Sequence, residues 1–232
     1  MKLLLTDAGI RNASIKAALL DLLGKPIEEC DALAIPTAMY GHPEVGPGLP
    51  IYRFITGTGP NPMTNLGWKS VGVLELTALP SIDREKWVPL VEAADILIAA
   101  GGDAGYLAYW MRQCGLADML PGINAVWLGL SGGSMALTPR IGTEFAGWKG
   151  PDGDVTLGIV DFSFCPHVAA DGKPGNTLAD AHEWVKQIPG AAYATDNDTA
   201  FKVVDGEMEI VSEGVWQRYE DGQIVETHGE PR

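Results

Sequence analysis

The sequence predicts a three-layer α/β fold with a mostly parallel central sheet and antiparallel hairpins at the C-terminal end. Three observations carry this. Strand-like apolar runs alternate with helix-period segments through the first 130 residues, as βαβ units require. Several of those runs are apolar along their whole length, the pattern of strands buried on both faces. Late in the chain, Asp205-Gly206 and Asp221-Gly222 each separate two short strand-like runs, a strong hairpin signal.

The elements follow in order. Residues 2–5 form the first strand. Residues 12–23 carry Ile15, Ala18, Leu19, Leu22 and Leu23 at helical spacing, with Asn12 or Ser14 as the cap. A short buried strand at 32–35 is stopped by Pro36. Residues 39–66 are rich in Gly, Pro and Asn and read as a long irregular insertion. Strands are expected at 71–76, 96–100, 125–130 and 158–164, and helices at 83–94, 106–114 and 177–187. The hairpins pair 201–204 with 208–211, and 216–219 with 223–226.

Composition bounds the rest. The chain has 232 residues, which suits a single domain over 1–232, and 46% are hydrophobic, enough for a sizeable core. The formal charge of −14 argues against nucleic acid and against an anionic membrane surface. Cys30, Cys114 and Cys165 are widely spaced and fit neither a disulfide framework nor a metal site, so buried thiols are expected. The N-terminal leucines are too few for a signal-peptide core, and no apolar stretch approaches about 20 residues. A cytoplasmic protein without membrane contact is the expectation; the oligomeric state stays open.

Chemistry concentrates at three strand ends. The pattern Gly129-Leu130-Ser131-Gly132-Gly133 follows an apolar strand and fits a nucleophile elbow, where small neighbours permit a sharp strand-to-helix turn. Gly101-Gly102-Asp103 ends a second strand, and a glycine turn there can aim backbone N–H groups at an anion. Pro166-His167 ends a third. Of the four histidines, His42 lies in the irregular loop, His182 in a helix pattern and His228 near the terminus. Only His167 is delivered to the presumed active edge. A serine hydroxyl needs such a base, and the oxyanion formed on attack needs preorganised donors. Gly132 N–H and Gly102 N–H are the candidates.

These motifs together resemble peptidase family S51, which includes dipeptidase E and cyanophycinase and has the class I glutamine amidotransferase-like fold. "ATDNDTA" at 194–200 also resembles the family's acidic segment. The matches keep family order across most of residues 95–204. The resemblance implies a flavodoxin-like three-layer sandwich and a serine hydrolase, without metal or cofactor, acting on short peptides, with aspartyl peptides as one candidate class. Ser131 would be nucleophile, His167 base, and Gly102 and Gly132 oxyanion donors; serine at the elbow argues against glutamine amide transfer.

Three positions depart from the family pattern. Asp103 stands where Asn is common, Gly132 where Ala is common, and Asn197 where cyanophycinase-like members have Glu. Asp196 is the residue expected to orient His167, with Asp198 and Glu144 as alternatives, or else a neutral holder such as Asn197 or a backbone carbonyl. Arg112 and Arg140 are the basic groups nearest the motifs, and Tyr40, Tyr106 and Trp110 are candidate lining residues. The departures leave a second reading open, a catalytically silent binding protein with the same pocket for small molecules or peptides.

Overall fold

The computed structural model describes residues 1–168 and 176–229. A seven-stranded sheet has the order β3-β2-β4-β5-β1-β8-β9. Its strands are β1 (Lys2–Thr6), β2 (Asp31–Ile35), β3 (Ser70–Val73), β4 (Ile96–Ala99), β5 (Val126–Leu130), β8 (Thr199–Val204) and β9 (Glu207–Ser212). The first five run parallel, and β8 joins β1 antiparallel, with β9 antiparallel to β8. A second sheet of order β11-β10-β7-β6 comprises β6 (Phe162–Cys165), β7 (Ala191–Thr195), β10 (Trp216–Glu220) and β11 (Gln223–His228).

Side-chain alternation along the strands makes the three layers. Leu3 and Leu5 face one way, with Leu97 and Trp127, towards α4 (Arg84–Ala93) and α5 (Ala104–Cys114). Leu4 faces the other way, with Ile96, Ile98 and Leu128, towards α1 (Ala13–Leu23). Every one of these strand residues is buried, so both faces had to be apolar. The second sheet is tied into the first core through Phe162, Phe164 and Tyr193, whose rings meet Phe201 of β8 at 4.8, 5.2 and 5.1 Å. Its other face packs on α8 (Leu178–Val185) through Trp184 and Val185.

The expected fold class holds, and the deviations have local causes. The insertion at 39–66 is not wholly irregular: α2 (Thr37–Gly41) and α3 (Leu49–Thr56) lie in and beside it. α3 starts with Pro50 in its first turn, where a missing N–H costs nothing, and stops at Gly57 in the left-handed region. α5 starts at Ala104 because Asp103 caps it, accepting from Tyr106 N at 2.7 Å. The elbow is followed by a single short helix, α7 (Gly132–Met135), and α6 (Leu116–Met119) extends the turn after α5. The predicted strand at 158–164 shortens to β6. β7 was not anticipated: Ala-Ala-Tyr-Ala-Thr has little of the β-branched signal of a strand.

Both predicted hairpins form, with Asp205-Gly206 and Asp221-Gly222 at positive φ as the tight turns require. They serve different sheets. The three cysteines are buried free thiols. Among the described residues, no helix is long and apolar enough to cross a membrane.

Asn12 does double duty. Its Oδ1 caps α1 by accepting from Ile15 N at 2.9 Å, and its Nδ2 donates to Asp198 O at 2.9 Å across the chain. Asn12→Ala is therefore expected to cost about 1–2 kcal/mol, the upper part of the range for a lost N-cap. Urea denaturation at neutral pH measures it; a change below a few tenths would remove this cap from the account.

Candidate active site

The three strand ends singled out in the sequence converge at the carboxyl edge of the parallel strands, where such sheets bind ligands. β5 delivers Ser131 in a left-handed conformation, φ 47° and ψ −113°. Such a backbone costs a non-glycine residue about 1–3 kcal/mol and must be over-determined by its surroundings. Here Ser131 N donates to Thr6 O at 2.8 Å, and Ser131 O accepts from Ser134 N and Met135 N at 2.8 and 2.9 Å. Ser134 Oγ donates to the same Thr6 carbonyl at 2.9 Å.

Close backbone approach explains the glycines that flank the serine. A methyl group on Gly132 would lie 2.1 Å from Gly102 O, and one on Gly133 would lie 2.5 Å from Ala99 O. The chain thus departs from the family's alanine at 132 because the Gly102 peptide occupies that space. Gly102 itself, at φ 138°, lies under the Ala38 carbonyl. Among the described residues, neither Gly102 N–H nor Gly132 N–H has an acceptor within the protein.

His167 follows β6 at φ 64°, also left-handed. Its Nε2 lies 2.9 Å from Ser131 Oγ and its Nδ1 lies 2.7 Å from Asn197 Oδ1. If Nδ1 carries the proton, it donates to the amide oxygen and leaves Nε2 to accept from the serine hydroxyl. The His167 backbone N–H donates to Asp7 Oδ2 at 2.9 Å.

Asp196, expected beside the ring, is turned away from it. The link between β7 and β8 is only three residues long, and the Asp196 carboxylate is used to close it. It accepts from Asp198 N at 3.1 Å, Thr199 Oγ1 at 2.9 Å and Val215 N at 2.8 Å. The next side chain, Asn197, is the one presented to His167. Of the alternatives, Asp198 uses its carbonyl to hold Asn12 Nδ2 and Glu213 N. Glu144 is exposed and accepts from Gln187 Nε2.

The remaining candidates are placed as follows. The Asp103 carboxylate accepts from Tyr106 N and, at 2.6 Å, from Trp148 N. Two donors are better served by a carboxylate than by the amide usual in the family, which has one accepting oxygen. Trp148 packs against Tyr106 and Tyr109, and Tyr106 against Trp110. Tyr40 is exposed. Arg112 pairs with Asp152 at 2.8 Å and Arg140 with Asp154 at 3.2 Å, so both tie down the segment after the elbow.

Sequence reading missed Thr6, Asp7 and Thr195. Asp7 is 1% exposed, and Thr195 Oγ1 donates to its Oδ1 at 3.1 Å. Burial pushes the Asp7 carboxyl well above the usual carboxylate range, outweighing the hydrogen bonds from His167 and Thr195. The one signal available was a charged residue directly after an apolar strand.

A strained serine after a parallel strand, with an imidazole in hydrogen-bond reach, is an arrangement of the serine-hydrolase type. The chain belongs to peptidase family S51, whose model matches residues 3–211, and it is a serine-type peptidase. Several solved structures share the fold. A candidate peptidase E protein from Listeria monocytogenes EGD-e is 16% identical, with a TM-score of 0.66 over 91% of this chain and 98% of its own. A peptidase from an acI-B1 actinobacterium is 18% identical, with a TM-score of 0.63 over 97% of this chain and 96% of its own. No curated protein matches the chain.

The two neighbours in the turn are expected to separate cleanly. Asp196→Ala removes the acceptor of three hydrogen bonds and should destabilise the fold by about 1–3 kcal/mol. Asn197→Ala removes a single acceptor, that facing His167 Nδ1, and should cost less, at most about 1 kcal/mol. Thermal or urea unfolding of both variants checks this; equal losses would contradict the division of roles.

Proposed function

We propose that this peptidase cleaves short peptides as an exopeptidase or dipeptidase, with Ser131 as nucleophile and His167 as general base. The observation that carries the reading is the 2.9 Å contact from His167 Nε2 to Ser131 Oγ, with Nδ1 held at 2.7 Å by Asn197. On this reading Nε2 takes the serine proton as Oγ attacks the scissile carbonyl. The imidazolium donates from Nδ1 to the Asn197 amide oxygen, which stabilises the charge as a dipole and keeps the ring oriented. Asn in this position has precedent in cysteine proteases of the Cys-His-Asn type. The oxyanion is met by Gly132 N–H and Gly102 N–H, each such donor being worth about 3 kcal/mol. His167 then passes its proton to the leaving amine, and water repeats the sequence on the acyl-enzyme.

Aspartyl specificity would require a cation near the substrate carboxylate. Arg112 and Arg140 are already paired with Asp152 and Asp154, so neither supports that finer assignment. The silent-binder reading keeps one specific support, the neutral Asn197 where an acid is common in cyanophycinase-like relatives.

A dipeptide panel including Asp-X and β-aspartyl substrates decides between them. Wild type is expected to hydrolyse at least one member and to label stoichiometrically with a fluorophosphonate probe. Ser131→Ala should lose both, with kcat down by about 10³-fold or more. Asn197→Ala should lower kcat by about 10- to 100-fold with little change in KM, since it disturbs orientation rather than binding. Persistent absence of labelling in folded wild type would favour the binder, and activity surviving in Ser131→Ala would remove Ser131 as nucleophile.

A further inference from the structure

We propose that Asp7 is a positioning residue of this site, fixing the backbone of His167 and through it the distance between imidazole and serine. The inference rests on the Ser131–His167 reading for its catalytic consequence, though not for its geometry. Consecutive residues at the end of β1 hold the two reacting residues. Thr6 O accepts from Ser131 N at 2.8 Å, and Asp7 Oδ2 accepts from His167 N at 2.9 Å. Both residues so held have positive φ, a conformation that persists in non-glycine residues only where neighbours enforce it. The His167 segment is gripped again one residue on, where Val168 N donates to Thr195 O at 2.9 Å. Thr195 in turn donates from Oγ1 to Asp7 Oδ1. Asp7 therefore joins β1 of the large sheet to the ends of β6 and β7 of the small one.

Asp7 meets the His167 backbone, whereas the ring nitrogens face Ser131 and Asn197, so its contribution is placement rather than charge against the ring. The geometry also accommodates a neutral acid. With its proton on Oδ1, Asp7 donates to Thr195 Oγ1 and still accepts from His167 N–H through Oδ2. The Thr195 hydroxyl is then directed to Cys165 O, 3.5 Å away. Burial favours that form and outweighs the hydrogen bonds from His167 N–H and Thr195 Oγ1, which favour the carboxylate. Asp196, after β7, adds negative charge, and the buried Cys165 thiol of β6 is itself pushed far up and stays uncharged. His167 faces it with its backbone N–H, and no Lys or Arg bonds to it among the described residues.

Two variants test this. Asp7→Asn mimics the neutral acid, accepting from His167 N–H and donating to Thr195, and should keep at least about a third of wild-type kcat. Asp7→Ala removes both contacts and should lower kcat about 100-fold with KM nearly unchanged, the scale of a misplacement near 1 Å. Equal losses in both variants would mean that Asp7 acts as an anion, and near-wild-type kcat in Asp7→Ala would remove the positioning role.

A second measurement needs no activity and no Ala variant. A folded carboxyl held protonated contributes stability that is fully present below the unfolded pKa, about 3.9. That contribution is lost as pH rises towards the raised folded value. The thermal midpoint of Asp7→Asn should therefore gain on wild type as pH rises from about 4 towards that raised folded value. A flat difference would overturn the neutral acid. If wild type neither hydrolyses nor labels, the catalytic reading fails alone. Placement is then judged by hydrogen exchange of the His167 amide, slow in wild type and Asp7→Asn and fast in Asp7→Ala; equal exchange in all three overturns it.

Discussion

The end of β1 is the constraint on which the site depends. Thr6 and Asp7 are adjacent in the chain, so their separation is fixed by one peptide unit. The carbonyl of one holds Ser131 and the carboxyl of the other holds His167. Ser131 belongs to the large sheet and His167 to the small one, and neither sheet contains the site by itself. What brings the sheets together is apolar: the rings of Phe162, Phe164 and Tyr193 against Phe201. Burial supplies the attraction, and the polar pair at the end of β1 supplies the register.

That division explains which parts were legible in the sequence. The fold class follows from periodicity and turn chemistry, which are local, and so do Ser131 and His167, each marked by an apolar run and small or rigid neighbours. The tie from Asp7 to His167 spans 160 positions and leaves no local trace. Asp196 and Asn197 show the same limit at shorter range. A cluster of acids advertises an orienting carboxylate, but a three-residue turn has its own donors to satisfy, and Asp196 is consumed by them. Asn197, whose side chain the turn does not use, is the one that faces the ring.

Asp103 and Gly132 carry a related lesson about family departures. Each looks like a defect when set against the family pattern alone. In this chain Asp103 meets a second donor, Trp148 N, and Gly132 makes room for the Gly102 peptide. Both are better read as local adjustments between the elbow, the glycine turn and the segment that follows the elbow.

The elbow also sets a stability of its own against whatever it does. Ser131 occupies backbone space that glycine enters freely, so a glycine there would relax about 1 kcal/mol or more of strain. Because proteins sit close to a stability threshold, such a gain is not negligible. Ser131 thus presents its hydroxyl at the head of the short helix at a strain that glycine would not carry.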